Sequence, residues 1–173
     1  KTLILGDVNS GKTTLCREIL EGFCREGLGG RIAVIDLAPD IPEEILRARG
    51  LAGVGGRLTP PAGSGAAYLR VPVVAPRLTS STEGEALEKA RCNREAIEGL
   101  LRRFEEPGRD ILFINDVSLY LQAGDPEHLA HVLDRASTAV VNGYLGEKLG
   151  PGELSRRERE AMEKLTGWFR SRG

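Results

Sequence analysis

The sequence predicts an α/β protein of three layers, with helices on both faces of a mainly parallel sheet. Three observations lead there. Apolar strand-like runs alternate with helix-period segments along the 173 residues. Residues 32–35 and 111–114 are continuously apolar, as strands buried on both faces are. Gly6, Asp36 and Asp116 fall at the ends of such runs. Alternating strands and helices imply parallel pairing through right-handed crossovers, with ligands at the carboxyl ends of the strands.

Residues 2–5 form a short apolar run closed by Gly6, and Leu15, Ile19, Leu20 and Phe23 then recur at helical spacing up to Gly27. Residues 31–36 read as a buried strand ending in Asp36. Pro42 before Glu43 and Glu44 opens a short helix to about Arg49, because proline in the first turn forfeits no hydrogen bond. Glycine and proline dominate residues 50–66, which predicts a flexible surface loop within a single domain of residues 1–173. Residues 67–75 suit an edge strand at most, given Pro72.

Thr82 and Glu85 make a capping-box pattern for a long helix whose apolar face runs from Leu87 to Phe104. Residues 111–115 form the second buried strand, followed by Asp116. Asp125-Pro126-Glu127 opens a helix carrying Leu129, Val132 and Leu133, and residues 138–141 form another strand. Ser155 and Glu158 are a second capping-box pattern, placed before Met162, Leu165, Trp168 and Phe169.

A net charge of −1 offers no global basic surface of the kind that marks a nucleic-acid binder. Cys16, Cys24 and Cys92 are odd in number and lack metal-ligand spacing, which argues against a disulfide framework and a structural zinc site. No apolar run reaches the ~18 residues of a membrane span, and the N-terminus begins in a strand instead of a signal peptide. A cytoplasmic protein without membrane association is expected. His128 and His131, three apart on a helix, lack a third ligand and read as solvated; the pairs Arg102/Arg103 and Arg156/Arg157 read as exposed helix faces.

The chemistry concentrates in Gly6-Asp7-Val8-Asn9-Ser10-Gly11-Lys12-Thr13, which follows a strand and opens a helix. A loop in that position points backbone N–H groups at an anion. Gly6 and Gly11 permit dihedrals that a side chain would obstruct, Lys12 reaches the β- and γ-phosphates, and the Thr13 hydroxyl ligates Mg²⁺. Gly6, Asn9, Ser10, Gly11, Lys12, Thr13 and Thr14 are the expected nucleotide-binding residues. Such a site also needs a carboxylate at a strand end, to hold the metal or orient a nucleophile. Asp36 and Asp116 are the two candidates, each with a helix cap or surface carboxylate as the plainer alternative. Lys12, Asp36 and Asp116 are the expected catalytic residues, and Thr13, Asp36 and Asp116 the expected metal ligands.

The loop, the acid-ended strand Ala33-Val34-Ile35-Asp36-Leu37 and the later strand ending at Asp116 together resemble the class of P-loop NTPases that includes MinD-type ATPases and GPN-loop GTPases. The resemblance covers most of the chain. It implies the P-loop form of the three-layer fold, with Asp116 similar to a Walker B aspartate. Asp7 stands where MinD-like members carry an extra lysine. Val141-Asn142-Gly143-Tyr144 stands where the GTPases carry Asn-Lys-x-Asp, so ATP is expected before GTP.

Within the class, Ile35-Asp36-Leu37-Ala38-Pro39-Asp40, Leu58-Thr59-Pro60-Pro61 and Ile114-Asn115-Asp116-Val117-Ser118 resemble segments of the polynucleotide 5′-hydroxyl kinases of RNA processing. The resulting expectation is Mg²⁺-dependent binding of a nucleoside triphosphate with hydrolysis or phosphoryl transfer. The alternatives are an RNA 5′-hydroxyl kinase, or a low-turnover switch that acts on a protein partner.

Overall fold

The computed structural model describes residues 1–48, 50–51, 56–104, 108–146 and 148–172. Its strands are β1 (Thr2–Gly6), β2 (Ile32–Asp36), β3 (Ala67–Leu69), β4 (Ile111–Asn115) and β5 (Thr138–Tyr144). They form one sheet in the order β1-β5-β4-β2-β3, and every adjacent pair is parallel. All five residues of β2 and of β4 are buried, which explains their unbroken apolar sequence.

The helices are α1 (Lys12–Arg25), α2 (Glu43–Ala48), α3 (Pro76–Thr79), α4 (Glu83–Phe104), α5 (Ser118–Leu121), α6 (Pro126–Arg135) and α7 (Glu153–Arg170). Strand alternation sorts the core into two layers. Ile32, Val34, Ile111 and Phe113 face Cys16 and Leu20 of α1. Ala33, Ile35, Leu112 and Ile114 face α4, α6 and α7 through Ile97, Leu101, Val132 and Leu165. The architecture is thus the three-layer α/β/α sandwich, and its sheet is wholly parallel. No described helix is long and apolar enough to cross a membrane.

Two expected caps form. Thr82 Oγ1 accepts from Glu85 N at 3.2 Å, and Asp125 Oδ1 accepts from Glu127 N at 2.9 Å. The third does not. Helix α7 begins at Glu153 after Gly150 and Gly152, both at positive φ, which leaves Ser155 inside the helix with its hydroxyl on the Gly150 carbonyl. Glu158 is therefore released from capping and points inward. Two short helices, α3 and α5, and the last three residues of β5 escape sequence periodicity because each is too short to show a repeat.

The Gly- and Pro-rich segment forms no regular element among its described residues, and residues 52–55 lie outside them. Its described part packs closely. Leu58 is wholly buried beside α1, and Arg109 Nη1 donates to the carbonyls of Gly30 at 2.9 Å and Gly65 at 3.1 Å. A Cβ at Gly29 would lie 1.8 Å from the Ser64 carbonyl oxygen. Gly29→Ala must displace that backbone, so we expect a loss of about 1–3 kcal/mol, as for other overpacked sites. Urea unfolding reads it, and an unchanged midpoint would mean that the segment yields without cost.

Candidate functional site

The loop that joins β1 to α1 owes its shape to two left-handed residues, Asn9 (φ 57°) and Gly11 (φ 84°), the second immediately before the helix. At Gly6 a Cβ would approach Ser10 Oγ to 2.6 Å, so a side chain there would force the Ser10 hydroxyl to turn away. Ser10 N donates to Asp7 O at 3.4 Å, and Val8 N to Asp7 Oδ1 at 2.7 Å. The first N–H groups of any helix have no intrahelical acceptor, and no side chain caps those of α1. They open, with the positive end of the helix dipole, onto a pocket of about 380 Å³. Asn9, Ser10, Gly11, Lys12, Thr13 and Thr14 all line it.

Lys12 Nζ donates to Asp7 O at 2.6 Å and approaches Ser10 Oγ at 3.4 Å, which keeps one of its three protons for another acceptor. Burial lowers its pKa, against the opposing pull of Asp116 and Asp7. Asp116 stands on the pocket wall at the end of β4, with φ 58°, a conformation that costs energy for a residue with a side chain. Burial and the nearby Glu158 push its pKa up to about 6, while Lys12, Ser118 and Arg77 pull the other way.

Below the pocket runs a chain of side-chain hydrogen bonds across the strand ends. Asn142 of β5 accepts from Asp116 N at 2.9 Å and donates to Asn115 Oδ1 at 2.8 Å. Asn115 donates to Asp36 Oδ1 at 2.7 Å and to Gly56 O at 3.0 Å, and Thr13 Oγ1 reaches Asn115 Oδ1 at 3.4 Å. Asp36 is wholly buried, with its other oxygen bonded by Tyr68 OH at 2.6 Å. It does not line the pocket; Asn115 stands between. Strand β5 also separates β1 from β4, so Asp116 comes from the second strand over from the loop and not from its neighbour.

The far wall contains residues that sequence reasoning missed or misread. Arg77 of α3 forms an ion pair with Glu158 of α7 at 2.6 Å, and its guanidinium lies 5.9 Å from the Tyr144 ring. Gln122 Nε2 donates to Glu158 Oε2 at 2.9 Å. Glu158 was legible only as a cap, and nothing in the sequence around Arg77 singles it out. The arginine pair that sequence reading noted on this helix stays outside, since Arg156 and Arg157 bind Glu153 and Glu160. His128 Nδ1 meets Tyr120 OH at 3.3 Å, and His131 is exposed.

Among the described residues no group of three or more His, Cys, Asp or Glu side chains is disposed to hold a metal. The oxygens of Thr13 and Asp116 do suit Mg²⁺, which takes one or two protein ligands and completes its shell from phosphate and water. Both oxygens of Asp36 are engaged, so it fits a supporting position better than a ligand position.

Asp116 carries a testable cost. The native state holds its proton up to about pH 6, whereas an unfolded Asp releases it near pH 4. Between those values the folded protein binds more protons, so stability falls as pH rises from about 4 to 6 and stays lower above. Asp116→Asn should raise stability at pH 7.5 by about 1–2 kcal/mol, solvent in the pocket trimming the full effect, and should flatten that pH dependence. Urea titrations at pH 4.5 and 7.5 check both, and equal behaviour of the two proteins would contradict the assignment.

Compared with known protein families the chain matches no family model, and no curated protein matches it. Fold and site together define an α/β protein with a glycine loop at the start of its first helix and a polar pocket over the ends of a parallel sheet.

Proposed function

We propose that the chain is a P-loop protein that binds a Mg²⁺-nucleoside triphosphate, ATP in preference to GTP, and hydrolyses it or transfers its terminal phosphoryl group. One observation carries this reading: a single pocket gathers the open start of α1, Lys12, Thr13 and Asp116. The amides of residues 9–14 and the dipole of α1 hold the phosphates, and Lys12 neutralises charge that develops on the β–γ bridge. Mg²⁺, held by Thr13 and Asp116, supplies charge neutralisation on the phosphate oxygens. Asn115 and Asn142 fix Thr13 and the Asp116 backbone, and Asp36 anchors Asn115. The preference for ATP follows from the absence of a guanine-reading Asn-Lys-x-Asp after β5.

The test is a thermal-shift panel of ATP, GTP and their diphosphates with and without Mg²⁺, followed by phosphate release. A ligand selective for the folded state raises apparent stability by mass action. A Mg²⁺-dependent shift that is larger for ATP is expected, and no shift with any nucleotide would sink the reading.

A low-turnover switch is the second reading, favoured by the bond from Asn115 to Gly56 O, which ties the Gly- and Pro-rich segment to the site. Tight binding without product in a single turnover distinguishes it. An RNA 5′ end as acceptor calls for a row of cations at the pocket, yet besides Lys12 the cationic side chains lining it are Arg17, held on the Arg57 carbonyl at 3.0 Å, and Arg77, paired with Glu158.

A further inference from the structure

We infer that the free margin of β1 is a homodimer interface, at which β1 of a second copy adds antiparallel and joins two five-stranded sheets into one. The inference is independent of the nucleotide site, because no residue of β1 and neither Leu15 nor Ile19 lines the pocket.

The two edges of the sheet are finished differently. At one, β3 has three residues, and Arg70 and Pro72 follow it, a short and charged margin of the kind that discourages further pairing. At the other, β1 has five, Thr2-Leu3-Ile4-Leu5-Gly6, without proline or charge. Leu3, Ile4 and Leu5 are half-buried, whereas every residue of β4 is buried.

Backbone direction fixes what this margin offers. Gly6 O accepts from Leu145 N at 3.0 Å, which turns the Gly6 backbone toward β5. In a parallel ladder the residues bonded to a given neighbour alternate. Thr2 and Ile4 therefore also bond β5, while the N–H and C=O groups of Leu3 and Leu5 point the other way, to the side where no strand lies among the described residues.

Side chains supply an apolar seam on both faces. Leu3 and Leu5 extend the core under α7, and Ile4 extends the core under α1. Helix α1 carries the seam outward. Arg17 bonds the carbonyl of Arg57, which is paired with Asp40 beyond β2, so that flank of α1 looks toward β2. Leu15, two residues earlier and about 200° around the helix, looks toward the β1 margin and is 45% exposed. Ile19, one turn on, continues the stripe.

Symmetry and charge select the occupant. A two-fold axis at Ile4 sets Ile4 against its own copy and Leu3 against Leu5, and the last two then exchange both hydrogen bonds as antiparallel partners do. The same register brings Lys1 opposite Asp7, the two charged residues that flank the strand. Both retain capacity: Lys1 Nζ donates to the Ala136 carbonyl and has two protons left, and Asp7 Oδ2 is 4.0 Å from Lys148 Nζ, beyond hydrogen-bond distance. A parallel second β1 in register would instead set like charges side by side.

Sedimentation of the full chain from about 1 to 100 µM should show a monomer–dimer equilibrium, with a species of twice 18.7 kDa. Leu15→Lys, at an exposed position, should raise the dimer dissociation constant about tenfold or more and leave the unfolding midpoint of the dilute protein unchanged. Lys1→Glu and Asp7→Lys should each dimerise poorly alone, since like charges then face each other, yet their equimolar mixture should form a heterodimer about ten times tighter than either homodimer. Hydrogen exchange reads the register: the amides of Leu3 and Leu5 should gain protection as concentration rises, and that of Ile4, already bonded to β5, should not.

Three results would overturn the inference. The first is a monomer at every concentration, whether β1 stays bare or is covered by an extended segment of another protein. The second is a dimer indifferent to Leu15→Lys, and the third is a charge-exchanged mixture no tighter than its homodimers. Leu15→Lys and hydrogen exchange decide the matter alone should Asp7→Lys disturb the loop.

Discussion

Lys12→Ala should cut Mg²⁺-ATP turnover by about 10²–10³-fold and remove most of the nucleotide-induced thermal shift, the scale seen when one preorganised charge donor is taken from a reacting oxyanion. The argument is positional. Lys12 is the first residue of α1, and its ammonium already lies inside the loop, bonded to the Asp7 carbonyl. Phosphate entering there meets the helix amides and this charge together. Lys12→Arg should fail nearly as badly, because a planar guanidinium cannot replace a compact ammonium at a 2.6 Å contact with a loop carbonyl. The protein without nucleotide should lose little stability, since Lys12 is only half-buried. Steady-state phosphate release checks the rate, and undiminished turnover in the alanine variant would discard the assignment of this loop.

Arg77→Ala should cost about 3–5 kcal/mol, the range for breaking a buried ion pair and stranding its partner. That loss is a large part of the ~5–15 kcal/mol that holds a typical domain together. Glu158 would keep only Gln122, in a position 4% exposed. Replacing both partners with apolar residues, Arg77→Met with Glu158→Leu, should recover most of the loss, because no charge is then left buried. Urea unfolding of the single and double variants measures the difference, and a double variant no more stable than Arg77→Ala would refute it. The charge of Glu158 also raises the pKa of Asp116, so Glu158→Gln should bring it below its value of about 6 and shift the acid limb of the pH–rate profile down.

The long periodic elements were legible in the sequence because their patterns repeat. Helix α4 shows about five turns of apolar spacing, and β2 and β4 are unbroken apolar runs whose burial on both faces follows from composition alone. The glycine loop was legible because its backbone needs specific residue types at specific positions. The far wall was not. Arg77 sits on a four-residue helix with no period to read, and Glu158 shares its spacing with a cap that two glycines at positive φ pre-empt. Asn142 counted in the sequence only as a missing guanine motif, whereas in the fold it joins β5 to β4 and meets Cys16 Sγ at 3.3 Å. Its role depends on strand order, which local pattern does not encode. Asp36 was found at the right strand end, but that Asn115 would stand in front of it depends on the same order.

The amides and carboxylate below the pocket join four strands through side chains, in a direction the backbone ladder also spans but beneath the pocket floor, where Asn142, Asn115 and Asp36 are withdrawn from solvent. Asn142, Asn115, Asp36 and Tyr68 thus act as a cross-tie from β5, next to one edge of the sheet, to the outer strand β3 at the other. Loss of the tyrosine hydroxyl at that margin would leave Asp36 short of a partner in the dry interior, and the slack would be felt three hydrogen bonds away in the posture of Thr13.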